Sequence, residues 1–388
     1  MPEASPTTTP ARPYIGGQAL LEGVMMRSPH SFAIVCRRRS GELAVRERPV
    51  ADERKGFRAL PLVRGVVTLV ESLRLGSEAL KYSAGLFEAD LEAEEREAAA
   101  KKSTGVTSML SALSLPIIAL ASTPDDQLDK PAAAPPAPAK KDSGSSILMM
   151  VFALGLFVAL PQAGANLANQ VFKLNLDIRD PAFQAITGVM KLCIVIGYLS
   201  LIRQIPEIRR VFQYHGAEHK SISTYEAEEA LDVEHARAKT TLHPRCGTTF
   251  LVMVALVSVV MFSLLGTFLP AIQVTDGWKN KVIENVALFA MKVPFLPVLA
   301  AVTFEIQRVF ARYCTTGPLR VLLWPGFLVQ KITTIEPDDD QLEVALASLR
   351  ATLAREANPA VASSGVTEAS FASYEDFSEG WGPPAAAE

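Results

Sequence analysis

The chain has 388 residues, of which 49% are hydrophobic and only 20% charged, with a formal net charge of −3 and a mean hydropathy of +0.21. That composition disfavours a purely soluble globular protein and points toward a membrane. The near balance of charge gives no electrostatic case for nucleic-acid binding, and the four cysteines, Cys36, Cys193, Cys246 and Cys314, are too dispersed to imply a disulfide framework.

Residues 1–14, rich in Pro and Thr, read as a disordered tail without a signal-peptide pattern, so targeting is expected to rest on later apolar segments. Residues 15–90 then form an expected cytoplasmic N-terminal region. It opens with Gly16-Gly17-Gln18-Ala19-Leu20-Leu21-Glu22-Gly23-Val24-Met25-Met26-Arg27, a glycine-bracketed loop with one carboxylate in an apolar run. Glu22 there is a ligand, a proton acceptor or the ion-pair partner of Arg27, and contact between this loop and the central loop is expected. Phe32 to Val50 alternates apolar and polar residues around Arg39-Ser40-Gly41, which predicts a small β-hairpin. Leu60 to Tyr82 repeats apolar residues at helical spacing with Arg64, Glu71, Arg74 and Lys81 opposite, the pattern of an amphipathic helix on protein or membrane. Residues 91–146 read as a low-complexity insertion or linker. Within it, Val106 to Ala121 is about long enough to span but holds several Ser and Thr and Pro116, and reads as a surface helix or part of the insertion.

Residues 147–349 are expected to form a membrane domain. Four apolar stretches approach the length that crosses a bilayer core: Ile147 to Ala165, Phe183 to Ile202, Phe250 to Leu269 and Val286 to Phe304. Seven Lys and Arg lie between Arg203 and Arg245, against two in each flanking loop, and ten lie in the first sixty residues. Basic residues near span ends stay in the cytoplasm, so both termini and the central loop, residues 203–248, are placed there. Leu319 to Val329, broken by Pro325 and Gly326, is too short to cross and suits an interfacial or re-entrant segment. Glu305 is expected to pair with Arg308 and Arg312 at a helix end, and Asp340 to cap a helix. Residues 350–388 read as a mostly disordered acidic tail. The fold class is therefore mainly α, a polytopic helical membrane protein of about four spans with a small N-terminal region containing a β-hairpin.

The central loop reads Tyr214-His215-Gly216-Ala217-Glu218-His219-Lys220. On a helix His215 and His219 stand one turn apart with Glu218 beside them, the H-x-x-E-H spacing of inverted zinc proteases. Two imidazoles at that spacing can share one metal ion, and the carboxylate can take a proton from water. Ile208, Phe212, His215, His219 and Ile222 follow at three- or four-residue steps, so the histidines lie on the apolar face and need partners, whether a metal or hydrogen bonds. Gly216 within that helix marks either a local break or a close backbone approach. Further on, His243-Pro244-Arg245-Cys246 precedes the third span. Cys246 at a helix N-terminus beside Arg245 is favoured as thiolate, giving a soft metal ligand or a nucleophile. His215, His219, His243 and Cys246 together make a plausible nitrogen and sulfur set for zinc. His30 and His235 read as surface residues outside the site.

Gly16 to Arg27, Arg209 to Lys220, His243 to Phe250 and Pro325 to Ala345 together resemble the bacterial YqhQ family, a group of membrane proteins described as metal-dependent enzymes without an established reaction. The resemblance runs from about Ile15 to Leu349 outside the linker. It implies a protein of the bacterial inner (cytoplasmic) membrane, metal dependence, and His215, Glu218, His219, His243 and Cys246 as the motif-matched polar positions; it implies no substrate.

The expected site thus has His215, His219, His243 and Cys246 as ligands of a divalent metal, zinc by donor type, with Glu218 and Glu22 as catalytic carboxylates of a hydrolase at the bilayer surface. Its expected partners are the lipid bilayer and a membrane peptide or lipid-linked substrate. The alternatives are a non-enzymatic scaffold or assembly factor with a structural His/Cys site, and a transporter, which the shortage of ionisable residues inside the spans disfavours.

Overall fold

A computed structural model describes residues 12–51, 56–101, 160–177, 180–266, 291, 293–314, 317–357 and 365–381. The polar half of the molecule is built on a five-stranded antiparallel sheet in simple sequential order: β1 (Gly16–Leu20), β2 (Gly23–Arg27), β3 (Ser31–Arg37), β4 (Leu43–Pro49) and β5 (Thr367–Phe371). The glycine-bracketed segment read as a loop is thus a second hairpin, with Leu20 opposite Gly23 across the Leu21-Glu22 turn. The reason lies in the packing: both faces of the sheet are covered, which replaces alternation by a continuous apolar run such as Gly23–Arg27. One face sets Val24, Met26, Val35 and Val45 against Tyr214, Leu342 and Leu346, while the other sets Leu20, Phe32 and Ile34 against Leu75 and Ala79.

Leu75 and Ala79 belong to α1 (Val63–Lys101), the expected amphipathic helix, which runs on past residue 90 into the segment read as linker. Val106 to Ala121 lies outside the described residues. So does most of the first expected span, of which α2 (Leu160–Val171) is the described end. Helices α3 (Pro181–Ile202) and α6 (Gly247–Gly266) are long and apolar enough to cross a membrane, with only 11% and 28% of their most apolar windows buried. A core helix of a soluble protein would be mostly covered. The fourth expected span is described only from residue 293 onward, where a short turn leads into α7 (Leu296–Tyr313). Two candidate spans among the described residues is therefore the extent of the match to the four expected.

Between α3 and α6 lie α4 (Pro206–Glu226), started by Pro206 at its first position, and the short α5 (Val233–Arg237). After α7, a 3-10 turn (Pro318–Leu323) leads into α8 (Trp324–Thr333), and α9 (Asp339–Ala357) follows. The cap of α9 is Asp338 and not Asp340: Gln341 N–H donates to Asp338 Oδ1 at 2.9 Å and Asp338 N–H to Gln341 Oε1 at 3.1 Å, a reciprocal capping box.

The segment beyond residue 350 is a correction to the expected disordered tail. Helix α9 continues to Ala357, β5 pairs with β4 along Leu43 to Glu47, and α10 (Tyr374–Gly380) buries Phe377 completely. The acidic composition hid a small aromatic cluster, Phe371, Tyr374, Phe377 and Trp381, that gives this segment its anchor. Inside the sheet layer, Arg355 of α9 reaches Glu47 of β4 in an ion pair that is almost wholly buried, with Ser31 Oγ donating to the same carboxylate at 2.7 Å.

Candidate metal centre

Helix α4 runs unbroken through Gly216. The glycine is there for close approach: a Cβ at this position would strike the carbonyl oxygen of Ile335, whose own N–H donates to Phe212 O at 2.9 Å. The segment linking α8 to α9 is thereby laid along α4, next to His215. The second arm of the site is the His243–Cys246 turn that enters α6. Gln330 of α8, fully buried, holds this turn from both sides: its Oε1 accepts from His243 N at 2.9 Å, and its Nε2 donates to His243 O at 2.8 Å and to Thr249 Oγ1 at 2.7 Å.

These constraints bring together three of the four expected ligands. The ring nitrogens of His215 and His219 and the sulfur of Cys246 offer donor atoms that all lie within 4.8 Å of one another. His215 Nδ1 is bonded to the carbonyl of Thr333 at 2.9 Å, and His219 Nδ1 to that of Thr241 at 2.5 Å. A carbonyl can only accept, so each Nδ1 carries the proton and each Nε2 is left for another partner. For His215 that partner is Cys246 Sγ at 3.2 Å, and the donor atom that His219 offers lies within 4.8 Å of both.

The electrostatics follow from this geometry. Burial resists charge on Cys246, but the adjacent imidazoles of His215 and His219 overcome it and hold the thiol well below its usual range. Burial likewise opposes charge on His215, yet the Cys246 thiolate raises that imidazole to about 9. His219, also buried, is lowered, its bond to Cys246 only partly offsetting the loss of solvent.

His243 stands at the margin. Its ring centroid is 5.6 Å from that of His219, and its Nε2 lies 3.3 Å from Glu226 Oε2. Burial lowers its pKa to about 4, so the ring is neutral at pH 7. Glu226 also pairs with Arg245, whose guanidinium lies 4.7 Å over the Tyr14 ring.

The two expected catalytic carboxylates separate. Glu218 is buried, with no hydrogen-bond or ion-pair partner among the described residues, and it packs on the backbone of Gly17, where an added Cβ would come within 2.8 Å of its Cγ. Burial raises its pKa to about 8, with His215 opposing and Cys246 adding to the rise. Glu22 reaches α4 but not the histidines. Its oxygens take Arg210 Nε and an Arg210 terminal nitrogen at 2.5 and 2.6 Å, and Tyr214 Oη donates to it at 3.2 Å. Arg27 pairs with Glu71 of α1 instead. Glu22 occupies the left-handed region at φ 51°, an uncommon conformation for a side-chain-bearing residue that the two-residue turn requires. His30 and His235 lie apart from the cluster, bonded to Glu356 and Asp232.

Sequence reasoning missed Gln330, Glu226 and the carbonyls of Thr241 and Thr333. Gln330 and Thr333 sit inside the Pro325 to Ala345 motif, which was the available signal; backbone carbonyls leave none.

A family model described as a protein of unknown function, DUF1385, matches residues 60–355, which takes in α4, the His243–Cys246 turn and α8. The chain belongs to the DUF1385 family. Among curated proteins it is similar to the "Uncharacterized protein YqhQ" of Bacillus subtilis (strain 168), at 30% identity over 348 residues, covering 89% of this chain and 94% of that protein. No solved structure matches it. Membership in DUF1385 brings no named activity, so the chemistry rests on the residues.

The donor set fits a borderline-soft divalent cation. Zinc bond lengths of about 2.0–2.3 Å at a tetrahedral centre put a nitrogen and a sulfur ligand roughly 3.5 Å apart; His215 Nε2 and Cys246 Sγ are at 3.2 Å, and the three donor atoms lie within 4.8 Å of one another, so an ion would draw the set closer together. The Nδ1 bonds to Thr333 and Thr241 are the outer contacts that commonly orient a ligating imidazole.

Proposed function

We propose that the protein is a metal-dependent enzyme of the bacterial cytoplasmic membrane, hydrolytic in type, with its centre on the cytoplasmic face. The observation that carries this reading is the gathering of two imidazoles, each fixed by an Nδ1–carbonyl bond, and one cysteine sulfur, with His215 Nε2 bonded to Cys246 Sγ at 3.2 Å and all three donor atoms within 4.8 Å of one another. His215, His219 and Cys246 would hold the ion, zinc by donor type, and three protein ligands match the open set of a catalytic site. A divalent metal bound there would supply Lewis acidity and an activated water. Glu218, buried and without a hydrogen-bond or ion-pair partner among the described residues, is the carboxyl placed to exchange a proton beside that centre, and with its pKa raised to about 8 it accepts one only in its ionised form, the minor form at pH 7. Gln330 and the Thr333 and Thr241 carbonyls hold the donors in register. The placement in a multi-pass membrane protein with cytoplasmic termini draws on α3 and α6 together with the basic loops. A membrane peptide or a lipid-linked molecule is the substrate class that such a position serves.

One observation favours a second reading, a non-enzymatic scaffold with a structural metal. His243 is close enough to His219 that a small shift would add a fourth donor and close the site.

The test is elemental analysis of detergent-purified protein, comparing wild type with folded His215→Ala, His219→Ala and Cys246→Ala variants. About one metal per chain, lost in all three, is the expected result. Wild type that stays metal-free after repletion refutes the metal centre. Glu218→Gln and His243→Ala then divide the two readings. For the enzyme, both variants keep their metal, and Glu218→Gln alone abolishes rescue of a strain lacking the protein; for the scaffold, His243→Ala loses metal and Glu218→Gln rescues normally.

A further inference from the structure

Helix α7 packs against both α1 and α6, and its two halves differ. Leu296 to Phe304 is apolar, whereas the following turns carry Glu305, Arg308 and Arg312. Gln307 Nε2 donates to the carbonyl of Cys246 at 3.3 Å, which fixes residue 307 level with the end of α6 where the apolar helix gives way to the polar site. Arg308 and Arg312, one turn apart, therefore stand at the boundary between the apolar helices and the polar cap.

Arg64, from the first turn of α1, joins them. Its guanidinium is gripped by both oxygens of Glu305, at 2.7 and 2.5 Å, and Leu62 N–H donates to the same carboxylate at 3.2 Å. Arg64, Glu305, Arg308, Val309, Arg312 and Tyr313 line one cleft of about 240 Å³. Its charges are three guanidinium groups against a single carboxylate, and that carboxylate is already taken by Arg64. Arg308 and Arg312 are exposed, and among the described residues neither has a carboxylate within ion-pair distance. The expected Glu305 pairing is corrected to this extent: Arg64 takes the carboxylate directly and Arg308 acts on it only at longer range, so the N–H groups of Arg308 and Arg312 remain open to a further anion.

The surroundings identify the carrier of the anion. Beside the cleft, the segment leading into α1 exposes Phe57 and Leu62, the turn after α7 exposes Leu319, Val321 and Leu322, and the start of α8 exposes Trp324. Apolar and tryptophan side chains bare around an arginine cleft match the level of lipid headgroups, where acyl chains cover the one and phosphates meet the other. Arginine forks favour phosphate oxygens over a point-charge contact.

We propose that this cleft binds the phosphate of an anionic phospholipid headgroup. The inference rests on the membrane placement above and is independent of the metal centre. The bland alternative is a pair of arginines that merely snorkel to the interface without retaining any lipid.

The test uses the full chain in nanodiscs of phosphatidylglycerol and phosphatidylcholine, released and weighed by native mass spectrometry. Wild type is compared with Arg308→Gln/Arg312→Gln and with Arg320→Gln, a control at another exposed interfacial arginine. The expected result is roughly tenfold weaker phosphatidylglycerol retention in the double variant and none of that loss in the control. Retention equal in wild type and double variant overturns the proposal. Displacement of the lipid by millimolar inorganic phosphate overturns the lipid as source and leaves a free-anion site. Because a variant can misfold, the second readout is wild type alone, whose thermal midpoint is expected to rise in phosphatidylglycerol over phosphatidylcholine; an unchanged midpoint counts against the site. Membrane fractionation of the untreated cells is run in parallel, since recovery in the soluble fraction would break the membrane reading itself and not the cleft's preference.

Discussion

The carbonyl oxygen of Ile335 rests against the Cα of Gly216, leaving no space for a side chain on that face of α4. Gly216→Ala must push the Ile335 segment outward, straining the Ile335 N–H bond to Phe212 and dragging Thr333, the partner of His215, with it. Alanine gains about 1 kcal/mol in helix propensity, but overpacking costs about 1–3 kcal/mol. A lower thermal midpoint in detergent is expected, together with weaker metal retention; a midpoint above wild type would show that the segment yields freely.

Gln330 makes three hydrogen bonds in a fully buried position, and leucine is close to it in size but makes none. Gln330→Leu leaves His243 N–H, His243 O and Thr249 Oγ1 without their partner. Each buried orphan costs about 1–3 kcal/mol, so a severe loss of stability is expected, with the His243–Cys246 turn loosened first. Hydrogen exchange reads this directly: protection lost across residues 243–249 before the sheet is the predicted pattern, and uniform loss would contradict it.

The Glu47–Arg355 pair is nearly inaccessible to water. Removing one partner strands a buried charge at a cost of about 3–5 kcal/mol, whereas removing both in favour of apolar residues is often close to neutral. Glu47→Leu and Arg355→Met are therefore each expected to destabilise strongly, and the double variant Glu47→Leu/Arg355→Met to recover most of the loss. Chemical denaturation of the four proteins completes the cycle; additive losses would deny the coupling.

Glu356 ties the end of α9 to the β2–β3 turn through Ser28 Oγ at 2.5 Å and His30 N–H at 2.8 Å. Burial alone would raise its pKa, but these hydrogen bonds and the His30 ring hold it below the ordinary carboxylate value. A carboxylate depressed in the folded state contributes stability above its unfolded pKa, about 4.3, and loses that contribution as pH falls through the lower folded value. Glu356→Gln should thus lower stability at pH 7 and weaken the acid dependence between about pH 5 and 3. Identical pH slopes in variant and wild type would falsify the assignment.

How far the sequence was legible depended on whether a pattern faced one environment or two. The His215/His219 pair was readable from its one-turn spacing on a helix, although α4 is buried on every side from Gly216 to Ile222, and Cys246 because it directly precedes a long apolar helix. The β1–β2 hairpin was not, since strands covered on both sides lose their alternation. The β5–α10 segment was missed because its order comes from pairing with β4, some 320 residues earlier, which no local signal announces. Glu22 illustrates the limit of motif reading: its segment does meet α4, but through Arg210 and Tyr214, so proximity to the histidine helix did not mean membership of the cluster.

The bond between Glu47 and Arg355 joins residues 308 positions apart. At a synthesis rate of 5–20 residues per second, the first four strands wait about 15–60 s for the helix that covers one of their faces. His215 likewise emerges well before Thr333, which fixes its ring. The polar cap is therefore closed only after both apolar helices, α3 and α6, have left the ribosome, and the three donor atoms reach their final arrangement as one of the last events in the protein's manufacture.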